Sequence, residues 1–166
     1  AGWFYTGGSN PYGYLGLGEV FVFVFFGVVA TVGSTYVQVE EVTALSLLAS
    51  VPVGLLATAL LVTNNLRDIP GDTEVGKQTM AVRLGDRRTR LLYAGMLGAA
   101  FVLVVPLALQ RGAAAVAIVA VLLAVAPVRA VLGGAKGGGL IPVLGDTGRV
   151  QLVFGVLLAL GLAASA

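Results

Sequence analysis

The sequence predicts an all-α fold, a multi-span transmembrane helical bundle, on three observations. First, the 166 residues are 58% hydrophobic and only 11% charged, with a mean hydropathy of +0.98, beyond what water-soluble domains show. Second, five segments, about 18–37, 44–64, 89–109, 113–132 and 148–165, approach the roughly 20 apolar residues that cross a hydrocarbon core. Third, these runs lack the polar alternation of a barrel strand: Val20 to Phe26 is apolar at every position.

The first segment is rich in β-branched and aromatic residues, a contrary signal that its length overrides. Glu19 stands at its inner end, where an ionisable group either faces a cavity or reaches the interface. The connector Gln38 to Thr43 leads to the second segment, which contains Pro52 and ends at the amides Asn64 and Asn65. A long polar connector, 65–88, follows. The third segment carries Gly95, Gly98, Ala99 and Ala100, small residues that let helices approach closely in lipid. Ala113 to Ala115 plays the same part in the fourth, and Pro106 and Pro127 are expected to kink or end their helices. Gly133 to Thr147 is read as a connector, with Gly137 to Gly139 a flexible stretch that lacks the setting of a phosphate-binding loop. Near the inner end of the fifth segment, Gln151 is either a helix–helix hydrogen-bonding group or a cavity donor.

Charge assigns the sides. With 65–88 inside, Arg67, Lys77, Arg83, Arg87, Arg88, Arg90, Arg129, Lys136 and Arg149 fall at inner ends, nine of ten bases, leaving Arg111 outside with Glu40 and Glu41. Residues 1–17 are then cytoplasmic, with Trp3, Tyr12 and Tyr14 as interfacial aromatics. Nothing at the start resembles a signal peptide, and Ala1 is not expected to be the natural start. The absence of Cys and His excludes disulfides, thiolate sites and imidazole ligands, so a metal here is held by oxygen, which favours Mg²⁺. No basic cluster on a soluble domain suggests nucleic acid.

The densest chemistry lies in Asn64 to Lys77, where Asp68, Asp72 and Glu74 stand between Arg67 and Lys77. Asp68 and Asp72 have the spacing that places two side chains on one helical face. Pro70 disfavours helix at Ile69, so a helix ending near Asp68 and a turn carrying Asp72 is equally compatible. Either form can aim two carboxylates at one Mg²⁺ that completes its shell with water and phosphate oxygens. Arg67 and Lys77 supply charge to those phosphates, and Asn64 and Asn65 orient a carboxylate or a metal-bound water. The plainer alternative is a cytoplasmic loop with Asp72 as a helix N-cap and the bases as topology anchors.

At these residues the chain resembles the second half of the UbiA superfamily, the intramembrane aromatic prenyltransferases. Asn64 to Lys77, continued by Gln78 to Gly85, is similar to the family's second aspartate-rich motif. Tyr5 to Gly8 with Pro11 to Glu19 resembles more narrowly the branch whose acceptor is 1,4-dihydroxy-2-naphthoate, in menaquinone biosynthesis. The later helices match only in pattern.

The resemblance implies a nine-helix bundle in a bacterial plasma membrane, with two aspartate-rich motifs on cytoplasmic loops around a cavity. This chain corresponds to its last five helices and lacks the first motif, of the Asn-Asp-x-x-x-Asp kind, so it is expected to be part of a longer protein. It further implies Mg²⁺ at Asp68 and Asp72, and a polyprenyl diphosphate bound by Arg67, Lys77, Asn64 and Asn65. The naphthoate ring would attack the allylic cation and lose CO₂, giving demethylmenaquinone, with Glu19 or a tyrosine handling a hydroxyl proton. One motif is half of such a site, so the 166 residues alone are expected to be inactive. Within the family the acceptor could instead be 4-hydroxybenzoate, haem or a chlorophyll precursor. CDP-alcohol phosphotransferases need an Asp-Gly and Ala-Arg pattern that is absent. A transporter or non-catalytic subunit would place its polar residues near the midplane, whereas here they gather at the inner ends.

Overall fold

The computed structural model describes residues 16–165, so Trp3, Tyr12, Tyr14 and most of the Tyr5 to Glu19 block lie outside the described residues. Among the described residues, five helices are long and apolar enough to cross a membrane: α1 Gly18–Val39, α2 Ala44–Glu74, α3 Met80–Gln110, α4 Gly112–Leu132 and α5 Gly137–Ala164. No strand occurs among the described residues. Phe26, Val37, Leu109 and Leu122 are exposed on the outer faces, the arrangement expected where lipid tails replace water as solvent.

α2 is the axis of the bundle. It packs against α1, α3 and α5, and 56% of its spanning window is buried, against 6% for α1. Its start is set by Thr43, whose Oγ1 accepts from the Ser46 amide at 3.0 Å. Its end lies well beyond the apolar run, which corrects the expected 65–88 loop. The helix continues through Pro70 to Glu74 and closes with Val75 N–H bonded to the Gly71 carbonyl and Gly76 at φ +72°. Apolarity marks where a helix lies in lipid; its hydrogen-bond ladder ends where it is capped. Asp72 is therefore in the last turn of α2 and is not an N-cap.

Thr79 is the N-cap, its Oγ1 accepting from the Val82 amide at 3.3 Å to begin α3. A break at Gly85 (φ +76°, ψ 168°) sets the turn Met80 to Leu84 apart from the spanning part of α3. That helix breaks again at Leu103, ahead of Pro106. α4 opens as a 3₁₀ stretch, Gly112–Ala120, before Val121–Leu132 continues as α-helix through Pro127. The connector expected over 133–147 is shorter, because Gly137–Leu140 winds as a 3₁₀ turn straight into Ile141–Ala164 with Pro142 in its first turn.

Two contacts fix helix positions. Gly27, in a π-helical stretch of α1 (Phe23–Val29), lies directly against Gly54 of α2, and a Cβ there would overlap the Gly54 backbone. The Arg90 guanidinium, almost wholly buried, binds both Asp86 oxygens at 2.7 Å and donates to the carbonyls of Val131 and Ala135. It thereby binds one carbonyl in the last turn of α4 and one in the connector that follows, and joins that end to α3. Deeper in the core, the Tyr93 hydroxyl meets Thr147 Oγ1 at 2.7 Å, and Phe101 packs edge-on to Phe154 at 5.7 Å.

Candidate active site

Because α2 stays helical past Pro70, Asp68 and Asp72 stand one turn apart on the same face of its polar end. Each carboxylate already has a base beside it. Arg67 reaches round to its neighbour Asp68 with Nε at 2.7 Å and a terminal nitrogen at 2.9 Å, and Asn64 Nδ2 adds a contact at 3.3 Å. Asp72 is the more enclosed, at 8% exposure, with Lys77 Nζ at 3.1 Å and the Thr79 hydroxyl at 3.5 Å. The Lys77 amide also bonds to the Asp72 carbonyl at 2.8 Å, so the short link from α2 to α3 folds back over the carboxylate it neutralises.

Glu19 and Asn65 form a second polar group. Asn65 Nδ2 donates to Glu19 Oε1 at 2.9 Å across the α1–α2 contact, and both side chains are buried. Glu19 Oε2 is the single buried side-chain oxygen or nitrogen without a hydrogen-bond partner among the described residues. The amide of Asn65 is thus engaged by a carboxylate, while Asn64 points to the motif. Sequence reasoning grouped both amides with the diphosphate; the fold separates them.

Gln151 is half-buried and lines an apolar groove of about 450 Å³ with Val22, Phe26, Leu60, Asn64 and Leu144. That groove lies between α1, α2 and α5, and Asn64 at its polar end is the residue that contacts Asp68. Thr79 was not anticipated as a site residue. Its signal was local: a threonine just ahead of Met80, at the start of a helical run, is a capping residue, here placed against Asp72.

The donor set suits a hard cation in part. Asp68 and Asp72 offer oxygen only, and no group of three or more acidic or other metal-ligating side chains occurs among the described residues. Two carboxylates leave most of an octahedral Mg²⁺ shell to water and phosphate, the usual state for a metal that binds with its phosphate substrate.

The model of the UbiA prenyltransferase family matches residues 1–137. The chain is 50% identical over 161 residues to 1,4-dihydroxy-2-naphthoate octaprenyltransferase of Mycobacterium tuberculosis, covering 97% of this chain and 55% of that protein. It is 48% identical over 157 residues to the enzyme of the same name from Mycobacterium leprae, covering 95% of this chain and 53% of the relative. The similarly named Bacillus subtilis protein is 32% identical over 164 residues, covering 97% of this chain and 53% of its own. The chain spans about half the length of these relatives. With the family model covering most of its residues and the paired carboxylates in place, the chain belongs to the UbiA prenyltransferase family.

Proposed function

We propose that the protein transfers a polyprenyl group from polyprenyl diphosphate to 1,4-dihydroxy-2-naphthoate, with loss of CO₂ and diphosphate, to give demethylmenaquinol, the hydroquinone that a separate two-electron oxidation converts to demethylmenaquinone. The similarity to the mycobacterial octaprenyltransferases supports the substrate pair. The observation that carries the reading is the pairing of Asp68 with Arg67 and of Asp72 with Lys77 on one face of α2. When bound at Asp68 and Asp72, Mg²⁺ supplies charge that stabilises the departing diphosphate.

The bases hold two roles in succession. Beside the carboxylates they compensate like charge packed into a small volume; when diphosphate arrives, Arg67 and Lys77 turn their donors to its oxygens. Asn64 holds Asp68 in orientation. The apolar groove that begins at Asn64 runs beside α2 and α5 and receives the prenyl chain, whose cation is shielded there from water. The inner ends of the helices, and the site with them, face the cytoplasm of a bacterial plasma membrane, following the distribution of bases.

Glu19 serves the acceptor. Its free Oε2 requires a donor, and an anionic diphosphate has none to offer, whereas a naphthol hydroxyl does. As ring carbon attacks the prenyl cation, that hydroxyl proton passes to Oε2; loss of CO₂ returns electrons to the ring, and the proton goes back to oxygen. Asn65 holds the carboxylate in place throughout.

The test is product formation by the full-length protein in lipid with Mg²⁺ and a labelled polyprenyl diphosphate. Demethylmenaquinol, detected as such or as the quinone it becomes on oxidation in air, is expected with the dihydroxynaphthoate and little product with 4-hydroxybenzoate. Glu19→Gln is expected to lower turnover by about 10²-fold, the lower end of the effect of losing a general base, with diphosphate affinity unchanged. Preference for another acceptor contradicts the substrate assignment, and loss of diphosphate affinity in Glu19→Gln contradicts the role of Glu19.

A further inference from the structure

A second groove lies between α3 and α4, with a volume of about 330 Å³. Its lining is apolar apart from one arginine: Ala94, Gly98 and Phe101 line it from α3, Ala124 and Val128 from α4, and Arg129 stands among them. Arg129 lies one turn short of the inner end of α4 at Leu132, the depth at which a side chain reaches lipid headgroups. Arg87 lies on the same face of α3, two turns before Ala94, in the periodic row Arg87, Leu91, Ala94, Gly98, Phe101. Both arginines are exposed, and neither makes an ion pair or a side-chain hydrogen bond among the described residues. Asp86, the nearby carboxylate, is held by both prongs of Arg90 and does not neutralise them.

We propose that this groove binds one anionic phospholipid, its acyl chain between α3 and α4 and its phosphate between Arg129 and Arg87. Length supports the occupant: from Ala94 to Phe101 the helix rises about 10 Å, most of the roughly 15 Å of hydrocarbon in one leaflet. Charge supports it further. An apolar helix seated here would bury Arg129 unpaired, which is unfavourable in lipid, whereas a lipid phosphate supplies a bidentate partner. The Arg90 bridge to Val131 and Ala135 holds the inner ends of the two helices together, so the groove has a fixed inner boundary at the level of the phosphate.

The experiment is lipid retention by the full-length protein, read by native mass spectrometry and by titration with phosphatidylglycerol or phosphatidylcholine in detergent. Phosphatidylglycerol is expected to bind in preference to phosphatidylcholine. Arg129→Ala and Arg87→Ala are each expected to weaken it about fivefold, which corresponds to about 1 kcal/mol per near-surface charge. Gly98→Leu places a bulky side chain at the groove lining, from a Cβ position with nothing within 4 Å. It is expected to displace the lipid with both arginines intact, an effect that diffuse surface attraction would not produce. Equal binding of the two lipids, unchanged binding in Arg129→Ala and Gly98→Leu, or a wild-type groove filled by another polypeptide segment would each overturn the proposal.

Discussion

Asp72 is the residue whose surroundings most constrain the site. It is nearly enclosed, and its carboxylate accepts from Lys77 and Thr79, on the link that leads from α2 into α3. Truncating Lys77 leaves that carboxylate without its cation. Lys77→Ala is therefore expected to destabilise the protein by about 1–3 kcal/mol, the cost of an unsatisfied buried acceptor, and Lys77→Arg to recover most of it. Thermal unfolding in detergent measures both, and equal midpoints for Lys77→Ala and wild type would contradict the pairing. At this scale the sequence was informative where partners are local. Asp68 and Asp72 announce themselves by spacing, and Arg67 and Lys77 by adjacency. The Glu19–Asn65 bond joins residues 46 apart, and no periodicity within either segment signals which oxygen will be paired and which left free.

At the scale of elements, the α1–α2 crossing depends on two glycines. A Cβ on Gly27 would overlap the Gly54 backbone, and a Cβ on Gly54 would come within 2.9 Å of the Phe23 ring. Gly27→Ala is expected to force the helices apart at a cost of about 1–3 kcal/mol, typical of overpacking, and to loosen the Glu19–Asn65 contact that spans the same pair. Lower thermal stability together with faster amide exchange in 18–39 checks this; an unaltered midpoint would contradict the close crossing. All five spanning helices were legible as apolar runs, but the ends of several were not. Hydropathy measures the part of a helix that needs lipid, so the polar last turns of α2 and the first turns of α3 and α5 escaped it. Pro70 also misled: the helix runs on through it to Glu74 although Pro70 brings no amide donor to the ladder.

For the whole molecule, the proposed sidedness rests on charge, and these 166 residues contain no cysteine of their own to compete with a reporter thiol. Single cysteines at Arg87 and at Glu40, in the full-length protein within intact cells and with any cysteine outside these residues replaced by serine, are expected to report opposite faces. The membrane-impermeant thiol reagent should modify the Glu40→Cys variant from outside and the Arg87→Cys variant only after permeabilisation. Labelling of both from one side would contradict the topology. The bundle architecture was readable from composition because lipid admits few solutions, whereas the short connections and the Arg90 bridge arise from tertiary packing.

The central claim is that α2 presents two carboxylates that hold a metal–diphosphate. The most direct measurement is Mg²⁺-dependent binding of a non-hydrolysable polyprenyl thiodiphosphate to the full-length protein, compared with Asp68→Ala and Asp72→Ala. Binding is expected to require Mg²⁺ and to fall at least tenfold in each variant, the loss of about 1.4 kcal/mol or more. Metal-independent binding, or affinity unchanged in both variants, would contradict the account.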